Sequence, residues 1–90
     1  MQSFYTYIAF SHDNTVLDIG VTIDLERRFR LLNQIHGKSG STGCKLVYFE
    51  EFIESLEATN RENELRELPK KVIKQLVEDT NPMFVNLLKV

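Results

Sequence analysis

The chain has 90 residues, of which 42% are hydrophobic and 27% charged, with a formal net charge of −2. This length predicts one domain, spanning residues 1–90. Its apolar runs are far shorter than the roughly 18–20 residues of a membrane span, and residues 1–4 lack the basic and then apolar order of a signal peptide. The single cysteine, Cys44, cannot form an internal disulfide. We therefore expect a cytoplasmic protein that is not bound to a membrane.

The charges are distributed unevenly along the chain. Residues 21–49 are net basic, residues 50–68 are strongly acidic because of their glutamates, and residues 69–90 are net basic again. Affinity for nucleic acid depends largely on neutralising phosphates, so a nonspecific binder generally has a basic total charge. Any nucleic-acid contact of this chain is therefore expected to be local to the basic middle segment, weak and sensitive to salt.

The first half of the chain predicts a β-hairpin followed by a helix. Residues 3–11 are aromatic and β-branched, which is typical of a strand. The polar residues 12–14 predict a turn into a second strand at about 15–21. Asp24 is a suitable N-cap for a helix that runs to about residue 35. Its apolar stripe at helical spacing consists of Leu25, Phe29 and Leu32, with Leu31 and Ile35 beside them.

The second half predicts one more strand and a series of helices. Residues 45–50 form the third strand, and Ser55 is expected to cap a helix over about 56–67. Pro69 ends that helix and begins another, and residues 84–88 are expected to fold back as a short terminal helix. The predicted order is ββαβαα. The simplest packing is an α/β (α+β) fold in which helices flank a three-stranded sheet.

Glu62 stands out on the acidic helix. It falls on the same helical line as Ala58 and Leu65, so it is expected at the boundary of the core. A carboxylate in that position needs a partner, either a divalent cation or an arginine. The ordinary alternative is one more solvated glutamate.

The predicted hairpin and first helix contain four further residues of interest. Asp18 interrupts an apolar strand, where aspartate is disfavoured, and its alternative role is a strand-edge residue facing water. Gly20 indicates a bend or a close approach of another group to the backbone. Tyr7 and Arg28 have equally plain alternatives, as a half-buried strand aromatic and a surface arginine.

The order of these residues resembles the GIY-YIG nuclease superfamily, in particular its small single-domain members. The similarity extends over residues 4–88, and no single fragment is specific by itself. The matching fragments are Tyr5-Thr6-Tyr7, Asp18-Ile19-Gly20-Val21-Thr22, Asp24-Leu25-Glu26-Arg27-Arg28, residues 45–52, Glu57-Ala58, Arg61-Glu62 and Asn81-Pro82.

The resemblance implies a site for cutting phosphodiester bonds. Tyr7 matches the tyrosine of the first signature triplet and would align or deprotonate the attacking water. Arg28 matches the catalytic arginine, which neutralises charge on the phosphate. Glu62 matches the glutamate that holds one divalent cation, Mg²⁺ or Mn²⁺. Asn81 matches a polar residue near the end of the family pattern.

Two positions depart from the family pattern. Asp18 stands where the second triplet begins with a tyrosine, and Leu32 stands where a histidine is common. Losing one positioned acid or base typically costs ~10²–10⁴ in rate. Asp18 is nevertheless counted among the predicted catalytic residues, and its carboxylate could join Glu62 as a second ligand of the cation.

Three basic residues are predicted to contact nucleic acid. They are Arg27 on the first helix, Lys38 in a polar loop over residues 36–43, and Lys45 after that loop. This loop lacks the residue order of a phosphate-binding P-loop. The expected partner is nucleic acid, with DNA favoured. An exposed edge strand is also compatible with a dimer.

Three functions remain compatible with the sequence. The first is a metal-dependent endonuclease. The second is a nuclease-fold protein that has lost catalysis and still binds nucleic acid or modulates a nuclease. The third is a protein-interaction role that uses the acidic helix over residues 56–67.

Overall fold

The computed structural model describes residues 2–37 and 43–88, with only the backbone described at 36 and 37. This part of the chain contains three strands and three helices in the order ββαβαα, which confirms the predicted fold class. None of the described helices has both the length and the apolar character needed to cross a membrane. The elements are β1 (Phe4–Ser11), β2 (Val16–Thr22), α1 (Leu25–Gly37), β3 (Cys44–Phe52), α2 (Ser55–Glu67) and α3 (Lys70–Thr80).

The first strand, β1, lies in the centre of an antiparallel sheet with the order β2-β1-β3. Tyr7 pairs with Gly20 on β2 and with Phe49 on β3, and Ala9 pairs with Asp18. Side chains alternate between the two faces of a sheet. The side chains of Tyr7 and Asp18 therefore lie on the same face, with Gly20 between them in the register.

The two faces of the sheet are covered by different helices. Helix α1 packs on the face that carries Tyr7 and Ala9, whereas α2 and α3 pack on the face that carries Ile8 and Phe10. Each face has its own buried cluster. The α1 cluster comprises Tyr7, Ala9, Phe29, Leu32, Cys44 and Leu46, and the α2/α3 cluster comprises Ile8, Phe10, Ile19, Val47, Leu65, Ile73 and Val77.

Helix α1 begins directly after Asp24, the predicted N-cap residue. The Arg27 backbone N–H donates to the Asp24 carboxylate at 3.1 Å, so Asp24 satisfies one of the free donors of the first turn. Phe29 and Leu32 are buried as expected, whereas Leu31 and Ile35 are exposed. Leu32 is therefore a core residue, as its sequence context suggested.

The junctions around α2 differ in part from the prediction. Ser55 is the first residue of α2 and does not cap it; the N-cap residue is Glu54, and its side chain makes no cap hydrogen bond. Pro69 precedes α3 with φ −60°, where its missing N–H costs nothing. The predicted helix break at Pro69 is thus confirmed.

The predicted terminal helix over 84–88 is wrong. The described residues after α3 form turns, with φ 50° at Phe84. The Phe84 ring packs against Phe10, with centroids 5.6 Å apart. The Leu87 N–H donates to the Leu46 carbonyl at 2.8 Å, so the backbone of this segment bonds to β3 instead of to itself.

Asn81 holds this segment in place. Its side-chain nitrogen donates to the carbonyls of Val47 at 3.1 Å and Val85 at 2.9 Å, and its side-chain oxygen accepts from the Val85 N–H at 3.1 Å. Asn81 is 5% exposed. A buried amide with three backbone partners fixes the end of α3 to β3 and to the chain that follows.

Replacing Asn81 by alanine should destabilise the fold, because the buried carbonyl of Val47 and the partly buried backbone groups of Val85 would lose their partner. We expect the free energy of unfolding in urea to fall by about 2–4 kcal/mol. Asn60→Ala, at an exposed position on α2, is the control and should change it by less than about 0.5 kcal/mol. Equal effects of the two substitutions would contradict this role of Asn81.

Candidate active site

Beneath α1, the hydroxyl group of Tyr7 contacts two charged side chains. It donates a hydrogen bond to Asp18 Oδ2 at 2.7 Å and accepts one from Arg28 Nε at 2.8 Å. Arg28 Nη2 lies 3.5 Å from the same Asp18 oxygen. These three residues, here called the Tyr7 cluster, come from β1, β2 and α1. The structure therefore brings together three residues that sequence reasoning had selected one by one.

Gly20 makes room for the Tyr7 hydroxyl. A Cβ atom at position 20 would lie 2.7 Å from the hydroxyl oxygen and 2.9 Å from the ring carbon that bears it. No side chain fits there unless Tyr7 moves. This is the close approach that a glycine within a strand predicted.

The Tyr7 ring is fixed by packing, while its charged partners reach the surface. Phe29 meets the ring edge-on, with centroids 5.2 Å apart, and Tyr7 is fully buried. The side chains of Arg28 and Asp18 are 42% and 24% exposed. A ligand from solvent can thus reach the arginine and the carboxylate, but not the phenol.

Burial raises the pKa of Tyr7 to about 12, and the hydrogen bond to Asp18 adds to this effect. Arg28 acts in the opposite direction and does not compensate. The hydrogen bond with Tyr7 in turn raises the pKa of Arg28. At neutral pH the phenol is therefore protonated and acts as a hydrogen-bond donor to Asp18.

Glu62 lies at the core boundary, as the helical pattern predicted. Ala58 and Leu65 beside it are fully buried, and the Glu62 side chain is 20% exposed. Its partner is an arginine: Arg66 Nε lies 3.0 Å from Glu62 Oε2. Arg66 also donates to the carbonyl of Ile19, the residue after Asp18 on β2. Arg66 therefore connects Glu62 to the strand that carries Asp18, whereas α2 itself covers the face of the sheet opposite to the Tyr7 cluster.

Arg66 is absent from the predicted site, although its spacing from Glu62 in the sequence indicates an ion pair between them. A glutamate four residues before an arginine on a helix is the favourable arrangement for an ion pair. Arg61, 28% exposed, lies next to Glu62 on α2; its Nε donates to Glu50 Oε2 at 3.0 Å and ties α2 to β3.

The donors present suit a cation that keeps much of its water. Within residues 2–37 and 43–88 there is no group of three or more histidine, cysteine, aspartate or glutamate side chains arranged to hold a metal. Mg²⁺ commonly takes only one or two protein carboxylates and completes its shell with water and substrate phosphate. Glu62 can bind Mg²⁺ in this way if its carboxylate contacts the cation and Arg66 together, or if the ion pair with Arg66 breaks.

Two of the three basic residues predicted to contact nucleic acid, Arg27 and Lys45, lie on different faces of the sheet. Arg27 is exposed on α1. Lys45 pairs with Phe10 and so belongs to the opposite face of the sheet, under α2 and α3. Lys38 lies outside the described residues. Their contact with nucleic acid stays a prediction.

Comparisons with known proteins agree with this architecture. The family model described as "GIY-YIG catalytic domain" matches residues 3–75, a span that includes the Tyr7 cluster and Glu62. The solution NMR structure of the UPF0213 protein BH0048 from Bacillus halodurans is similar, with a TM-score of 0.60 and 27% sequence identity. That match covers 98% of this chain and 96% of the other. A search of curated proteins gave no significant match. Because the family model covers most of its length, this chain belongs to the GIY-YIG catalytic domain family.

Proposed function

We propose that this protein hydrolyses phosphodiester bonds in nucleic acid with the help of one divalent cation. The observation that supports this most strongly is the Tyr7 cluster: a buried phenol, an arginine and a carboxylate joined by hydrogen bonds against a glycine that leaves room for them. Such a group has to be built from three separate elements. Its two charged members also reach the surface, where a phosphate can contact them.

Arg28 binds the phosphate. Its Nε is occupied by Tyr7, which fixes the plane of the guanidinium group, and its side chain remains 42% exposed. A guanidinium held in this way presents its remaining N–H donors to a phosphate in a fixed direction. It then stabilises the charge that develops on the phosphoryl oxygens in the transition state.

Asp18 accepts the proton of the attacking water, and Tyr7 positions Asp18. The phenol is fully buried and its pKa is about 12, so it is poorly suited to act as a base at neutral pH. The Asp18 carboxylate reaches solvent and is held by the Tyr7 hydroxyl at 2.7 Å. An aspartate thus does, in this chain, what the resemblance assigns to tyrosines.

Glu62 is the residue that would hold the cation, and the cation would polarise a phosphoryl oxygen of the bound substrate. Arg66 keeps the carboxylate paired, and therefore less costly to bury, when no cation is present.

A second function is favoured by the same ion pair. Arg66 already occupies one oxygen of Glu62 at 3.0 Å, and Leu32 is buried where the family commonly has a histidine. Both features fit a nuclease-fold protein that binds nucleic acid, or a protein partner, without cutting. Phosphate contacts weaken steeply with salt, whereas an apolar protein interface does not, so salt dependence identifies the kind of partner.

Removing the carboxylate charge of Glu62 should abolish cleavage. With Mn²⁺ or Mg²⁺ present, we expect wild type to cut at least one of branched DNA, single-stranded DNA or RNA. Glu62→Gln should cut at least about 100-fold more slowly. Glu57→Gln, on the exposed side of α2, is the matched control and should keep full activity. The readout is the rate of product formation on a denaturing gel.

If wild type and Glu62→Gln give the same products at the same rate, the nuclease proposal is wrong. If neither cuts but wild type binds nucleic acid with a steep salt dependence, the second function is correct.

Replacing Asp18 by asparagine should lower the pKa of Tyr7. Asp18 raises that pKa through its hydrogen bond and its negative charge, so removing the charge makes the phenolate less unfavourable. The pKa should fall from about 12 towards 10 but stay above 10, since the ring is still buried. The Cζ chemical shift of Tyr7, followed against pH by NMR, measures it. Asp79→Asn on α3 is the control; an unchanged Tyr7 pKa in Asp18→Asn would contradict the cluster.

A further inference from the structure

Two aromatic rings lie uncovered on the face of the sheet that carries the Tyr7 cluster. Tyr5 on β1 and Phe49 on β3 meet edge to face, with centroids 6.0 Å apart and an angle of 71° between their planes. Phe49 is 42% exposed, although it sits within a strand, and Tyr5 is half-buried. The other phenylalanines are buried or half-buried. The aromatic pair therefore marks the part of this face that α1 leaves open.

The aromatic pair adjoins the Tyr7 cluster directly. Phe49 is the β3 partner of Tyr7 in the sheet register, and Tyr5 precedes Tyr7 by two residues on the same face. Tyr5 and Tyr7 are therefore about 7 Å apart along β1. The Tyr7 hydroxyl group and the Arg28 Nε that contacts it lie on the β2 side of Tyr7, whereas Phe49 lies on its β3 side. A nucleic-acid strand whose phosphate is held by Arg28 would cross Tyr7 to place a neighbouring base over the two rings.

We propose that Tyr5 and Phe49 form a stacking subsite for one unpaired nucleobase, next to the phosphate bound at Arg28. The inference builds on the proposed function and narrows its substrate to single strands or to the unpaired strand at a junction. A base within a continuous duplex has both faces covered by its neighbours, so it cannot stack on a protein ring. Stacking on aromatic side chains accepts any base, because every base has a π face.

The charges near the aromatic pair predict how a bound nucleic-acid strand is oriented. Glu51, exposed on β3, pairs with Tyr5 and belongs to the same face. Its carboxylate repels a phosphate at this end of the sheet, while Arg28 attracts one at the cluster. The sugar-phosphate backbone is therefore expected on the Arg28 side and the base on the aromatic side.

Tryptophan fluorescence gives a direct test, since the chain contains no tryptophan. Phe49→Trp places one indole in the subsite, and Leu56→Trp places one at an exposed position on α2, which packs on the other face of the sheet. Titration with an oligothymidylate should quench Phe49→Trp and leave Leu56→Trp unchanged. Quenching of both variants, or of neither, would overturn the proposal.

Affinity tests the same subsite without a new fluorophore. By fluorescence anisotropy, Phe49→Leu should bind a labelled single-stranded oligonucleotide about tenfold more weakly than wild type. An abasic strand of the same length should bind both proteins equally. Thermal unfolding checks that Phe49→Leu is folded, and the Phe49→Trp quenching decides the matter if it is not. Equal Phe49 dependence for a duplex and a single strand would overturn the requirement for an unpaired base.

The two proposals fail in different ways. If Glu62→Gln abolishes cleavage while Phe49→Leu binds single strands as well as wild type does, the nuclease stands and the subsite is wrong. If no cleavage occurs but the oligothymidylate quenches Phe49→Trp and not Leu56→Trp, the subsite is correct and the protein binds without cutting.

Discussion

The hydrogen bond from Tyr7 to Asp18 depends on several other features of the structure. It requires a central strand whose pairing puts Gly20 opposite Tyr7, because any side chain at position 20 would occupy the place of the hydroxyl group. It also requires α1 to begin directly after the N-cap Asp24, so that Arg28 reaches the phenol from the first turn of the helix. The three elements are thus positioned by one buried polar contact in an otherwise apolar cluster. Such a contact is costly unless every member has a partner, and here each of the three does.

The hydrogen bond between Tyr7 and Asp18 gives the phenol and the carboxylate different roles. Burial and the neighbouring Asp18 make Tyr7 harder to ionise, with a pKa of about 12, so its contribution is orientation. The exposed edge of the cluster consists of the two charged side chains, Asp18 and Arg28. The departure from the family pattern at Asp18 therefore does not simply remove a function. The Asp18 carboxylate is a hydrogen-bond acceptor at the position where the family has a second tyrosine, and the Tyr7 hydroxyl group orients it.

The sequence predicted the fold well because its strongest signals are local. Alternating and helical apolar patterns, the Asp24 cap and the break at Pro69 gave six elements in the correct order, with ends within a few residues. The terminal helix failed because Asn81 and β3 take the backbone hydrogen bonds that a helix would need, a tertiary effect with no local pattern. Tyr7, Arg28 and Glu62 were predicted because they match positions of the family pattern. The hydrogen bond from Tyr7 to Asp18 and the exposure of Phe49 could not be predicted, because they depend on which face of the sheet α1 covers. Arg66 is the exception, since its spacing from Glu62 was visible in the sequence.

A double-mutant cycle between Tyr7 and Asp18 tests the central interaction most directly. The free energies of unfolding in urea of wild type, Tyr7→Phe, Asp18→Ala and the double variant give the coupling between the two side chains. A hydrogen bond between a buried hydroxyl group and a carboxylate contributes about 1.5–3 kcal/mol, so we expect a coupling of at least about 1.5 kcal/mol. If the two substitutions are additive within about 0.3 kcal/mol, the phenol does not hold Asp18, and the assignment of their roles is wrong.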